Sequence, residues 1–149
     1  MKVLFLDIDG VVNSAESFKR KAGYQKWNQI DPELAQRVRD IVAATHCHVV
    51  LSSSWRGSVE NEDIIARHVT PLLDRTPRMH RPVGTGMEYC ERGREIKAWM
   101  EAHPTMEFQY AILDDDSDML PEQKPNFFHT SWETGLTQEI TQQVINHLT

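Results

Sequence analysis

The sequence lacks the features that would place it among disulfide-rich, strongly basic or zinc-binding proteins. Its two cysteines, Cys47 and Cys90, fit a reducing compartment better than a disulfide framework. The formal net charge is -6, and no run of five or six like charges occurs, so non-specific binding of nucleic acid by a basic face is not indicated. The seven histidines show no metal-ligand spacing with the cysteines, which argues against a zinc site.

Long hydrophobic runs are also absent. The apolar stretch over residues 1–6 is far too short to cross a bilayer, and Asp7 and Asp9 interrupt it at once. There is no signal-peptide pattern, repeat or low-complexity segment. Since 40% of the residues are hydrophobic and the length suits one domain, we expect a single soluble, cytoplasmic domain over residues 1–149, with no membrane partner. Nothing in the sequence indicates an oligomeric state.

Strand-like and helix-like segments alternate along the chain. Short apolar runs predict buried strands at residues 3–6, 48–51 and 110–113, with a further short strand at 127–129. Helical spacing and capping residues predict helices at residues 32–45, 60–68, 92–102 and 136–148. This alternation predicts an α/β fold with a parallel sheet covered on both faces.

Two segments show no clear period. Residues 14–29 are polar with a few aromatics, which is typical of a small flap. Residues 70–90 are rich in Pro, Gly, Arg and His and predict a loop insertion with room for one short strand. Neither segment is long enough for a large independent lid, so we expect an open site.

Polar side chains follow three of the predicted strands at their carboxyl ends. They are Asp7 and Asp9 after the first strand, Ser52 and Ser53 after the second, and Asp114 and Asp115 after the third. In an open parallel sheet such positions converge on one crevice. Two carboxylates about 4 Å apart repel each other by roughly 4 kcal/mol at an effective dielectric near 20, so the cluster requires a cation. An all-oxygen ligand set favours Mg²⁺.

Three motifs carry a resemblance to a known family. The segment DIDGV that begins at Asp7, the strand that ends at Ser52, and the segment ILDD that ends at Asp115 resemble the first, second and fourth motifs of the haloacid-dehalogenase (HAD) superfamily. More narrowly, LDIDGVVN, SSSWR, RGREI and LDDD look like the compact HAD domains of RNA repair and phage proteins. The resemblance covers nearly the whole chain and implies a three-layer αβα, Rossmann-like HAD fold with a minimal cap.

The resemblance also implies roles for individual residues. Asp7 would be the nucleophile that takes the phosphoryl group, and Asp9 the general acid and base. Gly10 would allow the tight turn that brings the backbone close to the phosphate. Ser52, with Ser53 as the alternative, would donate a hydrogen bond to the transferring phosphoryl group.

A Mg²⁺ site belongs to the same expectation. Its ligands would be Asp7, the backbone carbonyl of Asp9, Asp114 directly and Asp115 through a water.

Three residues are candidates for the cation that balances the phosphate charge. Arg92 is the first choice, with Arg94 and Lys97 as rivals, and an arginine would depart from the lysine that is commoner in the family. Arg56 would bind the substrate or pair with the acidic cluster. Its neighbour Trp55 is expected in the core and not as a platform for the substrate.

The function that follows is Mg²⁺-dependent hydrolysis of phosphomonoesters through an aspartyl-phosphate. An open site suits a bulky substrate, so nucleotides and nucleic-acid 3′-phosphate ends are the leading candidates. Arg75, Arg78, His80 and Arg81 could contact such a substrate or belong to a solvated basic loop. The alternatives are a catalytically silent HAD-fold binding or regulatory module, and a protein phosphatase.

Overall fold

A parallel β-sheet forms the centre of the structure, a computed structural model that describes residues 1–20 and 29–149. The strands in chain order are β1 (Lys2–Leu6), β2 (His48–Leu51), β3 (Asp74–Arg75), β4 (His80–Val83), β5 (Gly86–Tyr89), β6 (Gln109–Asp114) and β7 (Phe127–His129). Five of them form one parallel sheet in the order β3-β2-β1-β6-β7, and β4 and β5 pair separately as an antiparallel hairpin. β1 therefore lies in the middle of the sheet.

Local capping explains where the helices begin. The helices are α1 (Ala15–Arg20), α2 (Pro32–Thr45), α3 (Val59–His68), α4 (Arg92–Glu101) and α5 (Gln138–Leu148). Before α2, the Asp31 carboxylate accepts a hydrogen bond from the Glu33 N–H at 3.0 Å, and Pro32 occupies the first helical position. Ser58 caps α3 by accepting from the Asn61 N–H at 3.3 Å. The four helices predicted from spacing are confirmed within a few residues.

The two faces of the sheet are covered by different helices. Side chains alternate along β1, so that Leu4 and Leu6 belong to one buried cluster and Val3 and Phe5 to the other. The first cluster is completed by α2, α3 and α5, and the second by α4, whose Trp99 ring lies edge-on to Phe5 with centroids 5.5 Å apart. Full burial of one such side chain stabilises the fold by roughly 1.5–3 kcal/mol. The three-layer αβα, Rossmann-like architecture is thus confirmed.

The insertion over residues 70–90 contains more structure than the sequence predicts. β3 extends the central sheet beside β2, and β4 and β5 form a hairpin whose residues are all exposed. Because neither face of the hairpin is buried, its sequence has no alternation of apolar and polar residues, and Pro82 within β4 further conceals the strand. Gly84 has φ 58°, the left-handed conformation that a tight hairpin turn requires.

The predicted flap over residues 14–29 begins as a helix. α1 is tied to the start of α2 because the buried Ser17 hydroxyl donates to the Asp31 carboxylate at 2.6 Å. Residues 21–28 of the predicted flap, including Tyr24 and Trp27, lie outside the described residues. Among the described helices, none has the length and apolar character needed to span a bilayer.

Candidate active site

The register of the central strands determines which side chains meet at the carboxyl edge of the sheet. Leu6 at the end of β1 is level with Leu51 of β2 and Leu113 of β6. The chain continues the same ladder beyond the strands, since the Ser52 N–H donates to the Leu6 carbonyl at 2.8 Å and the Asp7 N–H to the Leu113 carbonyl at 3.0 Å. The ends of three strands that lie far apart in the sequence therefore converge on one crevice.

Three carboxylates form a tight group in this crevice. One oxygen from each of Asp7, Asp114 and Asp115 lies within 4.8 Å of the other two. Asp7 and Asp114 are buried. One oxygen of Asp114 accepts from the Asp116 N–H at 2.9 Å, whereas its Oδ2 is buried without a hydrogen-bond partner among the described residues.

The electrostatics of the group call for a cation. Burial raises the pKa of Asp7 well above its ordinary value, and the neighbouring Asp114 raises it further. Burial also raises the pKa of Asp114, to about 6. A buried oxygen without a donor, in a set of oxygen ligands, fits a hard divalent cation such as Mg²⁺, which Asp7, Asp114 and Asp115 would hold.

Two side chains hold the Asp9 carboxylate outside this group. The sequence did not predict either contact. Asp9 Oδ1 accepts from Asn13 Nδ2 at 2.9 Å and its Oδ2 from Trp55 Nε1 at 3.2 Å. Trp55 is buried in the core as predicted, and the need of a buried indole N–H for an acceptor is the signal that could have revealed this contact. The Asp9 carboxylate is outside the three-carboxylate group, so its predicted metal contact depends on the backbone carbonyl alone.

Gly10 is required by the close approach of the Asp115 side chain. It has φ 80°, and a Cβ placed there would lie 2.3 Å from Cγ of Asp115. Its N–H donates to Asn13 Oδ1 at 2.9 Å, and its carbonyl accepts from the Thr130 hydroxyl at 2.7 Å. Both backbone groups are engaged within the protein, so a direct contact of Gly10 with the substrate remains a prediction.

The two candidate serines differ in their hydrogen bonding. Ser52 Oγ is buried and has no partner within residues 1–20 and 29–149. Ser53 Oγ accepts from the Trp55 N–H at 3.2 Å and so stabilises the turn after β2. Both hydroxyls keep a proton to donate, but Ser53 Oγ already serves the turn as an acceptor, whereas Ser52 Oγ makes no hydrogen bond with the described residues that would explain its burial.

Of the three candidate cations, the structure brings Arg92 to the crevice. Arg92 Nη1 lies 3.5 Å from Asp7 Oδ1 and also donates to the Ser52 carbonyl. The rivals point elsewhere and are largely exposed, with Arg94 paired to Glu91 at 2.9 Å and Lys97 to Glu122 at 3.5 Å.

This arrangement agrees with a comparison against protein families. A family model described as the HAD domain in Swiss Army Knife RNA repair proteins matches residues 3–140. The chain belongs to this family. Searches of curated proteins and of solved structures give no match. Membership supports a HAD-type hydrolase of the phosphatase kind in general, and such domains generally use Mg²⁺.

A buried ion pair in this HAD domain joins the loop after β2 to α4. Arg56 Nη2 donates to both oxygens of Glu95, at 2.8 and 2.9 Å, and Arg56 Nη1 donates to the Thr76 hydroxyl at 2.5 Å. Glu95 also accepts from the Met79 N–H at 2.8 Å. The expectation that Arg56 pairs with the acidic cluster is therefore wrong, because its carboxylate partner is Glu95. Its role as a substrate ligand remains a prediction, with both Nη atoms already engaged.

Proposed function

We propose that this HAD domain is a Mg²⁺-dependent phosphomonoesterase that works through an aspartyl-phosphate on Asp7. The observation that carries the proposal is the composition of the crevice. The Arg92 guanidinium lies 3.5 Å from Asp7 of the three-carboxylate group and also donates to the Ser52 carbonyl, and the buried Ser52 hydroxyl has no partner among the described residues. Few purely structural arrangements would gather these groups, since the buried carboxylates destabilise the fold unless a cation binds.

In the first step, an Asp7 carboxylate oxygen forms a bond to phosphorus while the bond from phosphorus to the ester oxygen breaks. Asp9 gives its proton to the departing oxygen, so that an alcohol leaves. Asn13 and Trp55 fix the Asp9 carboxylate by one hydrogen bond to each oxygen. In the second step Asp9 takes a proton from the water that attacks phosphorus, which releases inorganic phosphate and restores the Asp7 carboxylate.

Charge in the transition state is balanced by groups around the phosphoryl oxygens. Ser52 donates its hydroxyl proton, and Arg92 contributes a positive charge 3.5 Å from Asp7. Mg²⁺ bound at Asp7, Asp114 and Asp115 would neutralise the negative charge of the carboxylates and the phosphate.

The substrate class we propose is a nucleic-acid end that carries a 3′-phosphate, or a nucleotide. The description of the matched family, a domain of RNA repair proteins, supports this choice. So does the form of the insertion between β2 and α4, whose elements are a helix, a two-residue strand and an exposed hairpin and do not amount to an independent lid.

The test is phosphate release in Mg²⁺ and in EDTA from five substrates. These are a 3′-phosphorylated oligoribonucleotide, a mononucleotide, a sugar phosphate, a phosphopeptide and an aryl phosphate. We expect activity only with Mg²⁺, the highest kcat/KM on the oligonucleotide, and a loss on the order of 10⁴-fold in Asp7→Asn. Asp40→Asn, the same change on the exposed face of α2, is the matched control and should behave as the wild type.

Other outcomes would favour the other candidates. Binding of Mg²⁺ without hydrolysis of the aryl phosphate would indicate a silent binding module. Activity restricted to the phosphopeptide would indicate a protein phosphatase. Activity restricted to the sugar phosphate would contradict the proposed substrate but not the chemistry.

A further inference from the structure

A cavity adjoins the crevice at Arg92. It has a volume of about 310 Å³ and lies between the start of α4 and the base of the β4–β5 hairpin. Its lining includes Arg92, which also lies at the crevice, together with Arg78, Tyr89 and Cys90 from the insertion. The volume is at the lower end of the range for small-molecule sites, roughly 300–1,000 Å³, and suits a single nucleoside-sized group.

We infer that this cavity binds the nucleotide that adjoins the scissile phosphate, with Arg78 on the internucleotide phosphate and Tyr89 against the base. The inference rests on the proposed function and names the substrate contacts of that same site. Arg92 links the crevice to the cavity, because its Nη1 lies 3.5 Å from Asp7 Oδ1 and Arg92 also lines the cavity. A phosphate bound at Asp7 therefore has its neighbouring group at the mouth of this cavity.

Arg78 has the properties of a phosphate ligand. Its Nη2 donates to the carbonyls of Ser54 at 2.7 Å and Arg56 at 2.6 Å, which fixes the guanidinium plane. It pairs with no carboxylate of the described residues, whereas the cavity's other arginines do, Arg56 with Glu95 and Arg92 with Asp7. A fixed guanidinium with free N–H groups and an uncompensated charge is suited to a phosphodiester.

The acidic residues of the cavity do not cancel this charge. Glu95 is paired with Arg56. Asp118 accepts from the Arg92 backbone N–H at 2.9 Å, and its charge acts on the Arg92 guanidinium, whose pKa it helps to raise. Asp116 is exposed, so solvent and salt weaken its repulsion of an anion. Arg78 therefore remains the cation of the cavity that is available to a ligand within the described part of the chain.

Tyr89 provides an aromatic face. Tyr89 is 62% exposed, and its ring lies beside that of His80 at a tilt of 38°, with ring centroids 4.5 Å apart. No buried cluster of the described residues includes it, so packing of the core does not explain its position. The backbone bond from Cys90 N–H to the Met79 carbonyl, at 3.0 Å, ties this end of the hairpin next to the cavity. Exposed aromatic rings beside a positive group are the usual platform for unpaired bases.

The experiment measures kcat/KM on substrates of different length for the wild type and for variants of Arg78. The substrates are a nucleoside 3′-monophosphate, a dinucleotide 3′-phosphate, and an aryl phosphate as the reference for chemistry. In the wild type the dinucleotide should exceed the mononucleotide in kcat/KM by on the order of tenfold, because it adds one phosphodiester. Arg78→Ala should abolish this gain, and Arg78→Lys should retain part of it.

Tyr89 is tested by its effect on the ratio of nucleotide to aryl phosphate hydrolysis. Tyr89→Ala should lower that ratio by on the order of tenfold, and Tyr89→Phe should preserve it because stacking needs only the ring. Arg67→Ala on α3 and Met87→Ala on the hairpin, exposed residues that do not line the cavity, are the matched controls and should leave both ratios unchanged.

The outcomes separate this inference from the proposed function. A wild type without phosphatase activity on any substrate would overturn both. An active wild type that shows no gain from the second nucleotide, or keeps the gain in Arg78→Ala, would overturn the inference and leave the function standing. A phosphopeptide hydrolysed better than the dinucleotide would also overturn it.

Discussion

The crevice and the β4–β5 hairpin each contain an arginine–glutamate pair, and the two pairs differ in their surroundings. In Arg56–Glu95, beside the crevice, the side chains are 6% and 2% exposed, whereas in Arg81–Glu88, on the hairpin, they are 50% and 46% exposed. The buried pair joins three segments of the chain, which are the loop after β2, the stretch from Thr76 to Met79, and α4. The exposed pair spans the two strands of the hairpin, and Arg81 also lies 3.3 Å from the partly exposed Glu91 just before α4. The comparison indicates a rigid crevice beside an exposed hairpin that contributes little to folding.

The largest effect on stability should come from replacing Arg56, and the same change at Arg81 is the control. Arg56→Met leaves the Glu95 carboxylate buried without its partner, and we expect the free energy of unfolding to fall by about 3–5 kcal/mol. Arg81→Met, the same change on the hairpin, should produce no measurable loss, since solvent already screens that pair. Urea unfolding of both variants is the measurement, and similar losses for the two would contradict the contrast between regions.

A smaller effect, on the reaction alone, should distinguish the adjacent serines of the crevice. Ser52→Ala removes a donor that no described residue uses, so kcat on an aryl phosphate should fall by about 100-fold with little change in stability. Ser53→Ala should instead lower stability by about 1 kcal/mol through loss of its bond to the Trp55 N–H, with a minor effect on kcat. The reverse pattern would assign the phosphate contact to Ser53.

Metal binding should stabilise the crevice in a manner that depends on pH. Burial raises the pKa of Asp114 from 3.8 to about 6, so the folded state retains a proton that the unfolded chain has lost. The metal-free protein should therefore lose roughly 1–3 kcal/mol of stability as the pH rises from about 4 through about 6, and Mg²⁺ should restore it.

Thermal unfolding with EDTA and with Mg²⁺, at about pH 5 and about pH 7.5, measures this coupling. The stabilisation by Mg²⁺ should be larger at the higher pH. Asp114→Asn in EDTA should be at least as stable as the wild type at the higher pH and should respond weakly to Mg²⁺. Hydrogen exchange should slow around the crevice on addition of Mg²⁺ and stay unchanged in the hairpin, and equal slowing in both would contradict the comparison.

The smallest of these effects concerns the orientation of Asp9. Trp55→Phe keeps the ring in the core but removes the N–H that bonds to Asp9 at 3.2 Å, so we expect kcat to fall by about tenfold with KM little changed. Trp132→Phe, the same change at a partly exposed site, is the control. A shift of the pH profile of kcat in Trp55→Phe alone would separate positioning of Asp9 from a general loss of stability.

The parts of the molecule that could be predicted are those governed by local pattern. The apolar runs determine β1, β2 and β6, and parallel pairing then brings Asp7 to Asp114 and Asp115 without further information. The partners of Arg56 could not be predicted, because Glu95 is 39 positions away and reaches it only through the packing of α4.

Two other features were hidden for different physical reasons. The hairpin lies in a stretch that the sequence predicts as a loop with room for one short strand, because strands exposed on both faces show no alternation. The contacts of Asp9 with Asn13 and Trp55 were hidden because a side chain that belongs to the core by composition can still direct one polar atom into the site.

The most direct test is capture of the phosphoryl group on the enzyme. Asp9→Asn should be mixed with a labelled aryl phosphate and Mg²⁺ and then quenched in acid, because a good leaving group needs no proton in the first step while loss of the base slows the second. The account predicts a label on Asp7 that appears before free phosphate, is absent in EDTA and disappears when Asp7 is also replaced by asparagine. Phosphate release without any label on Asp7, or a label on another residue, would contradict it.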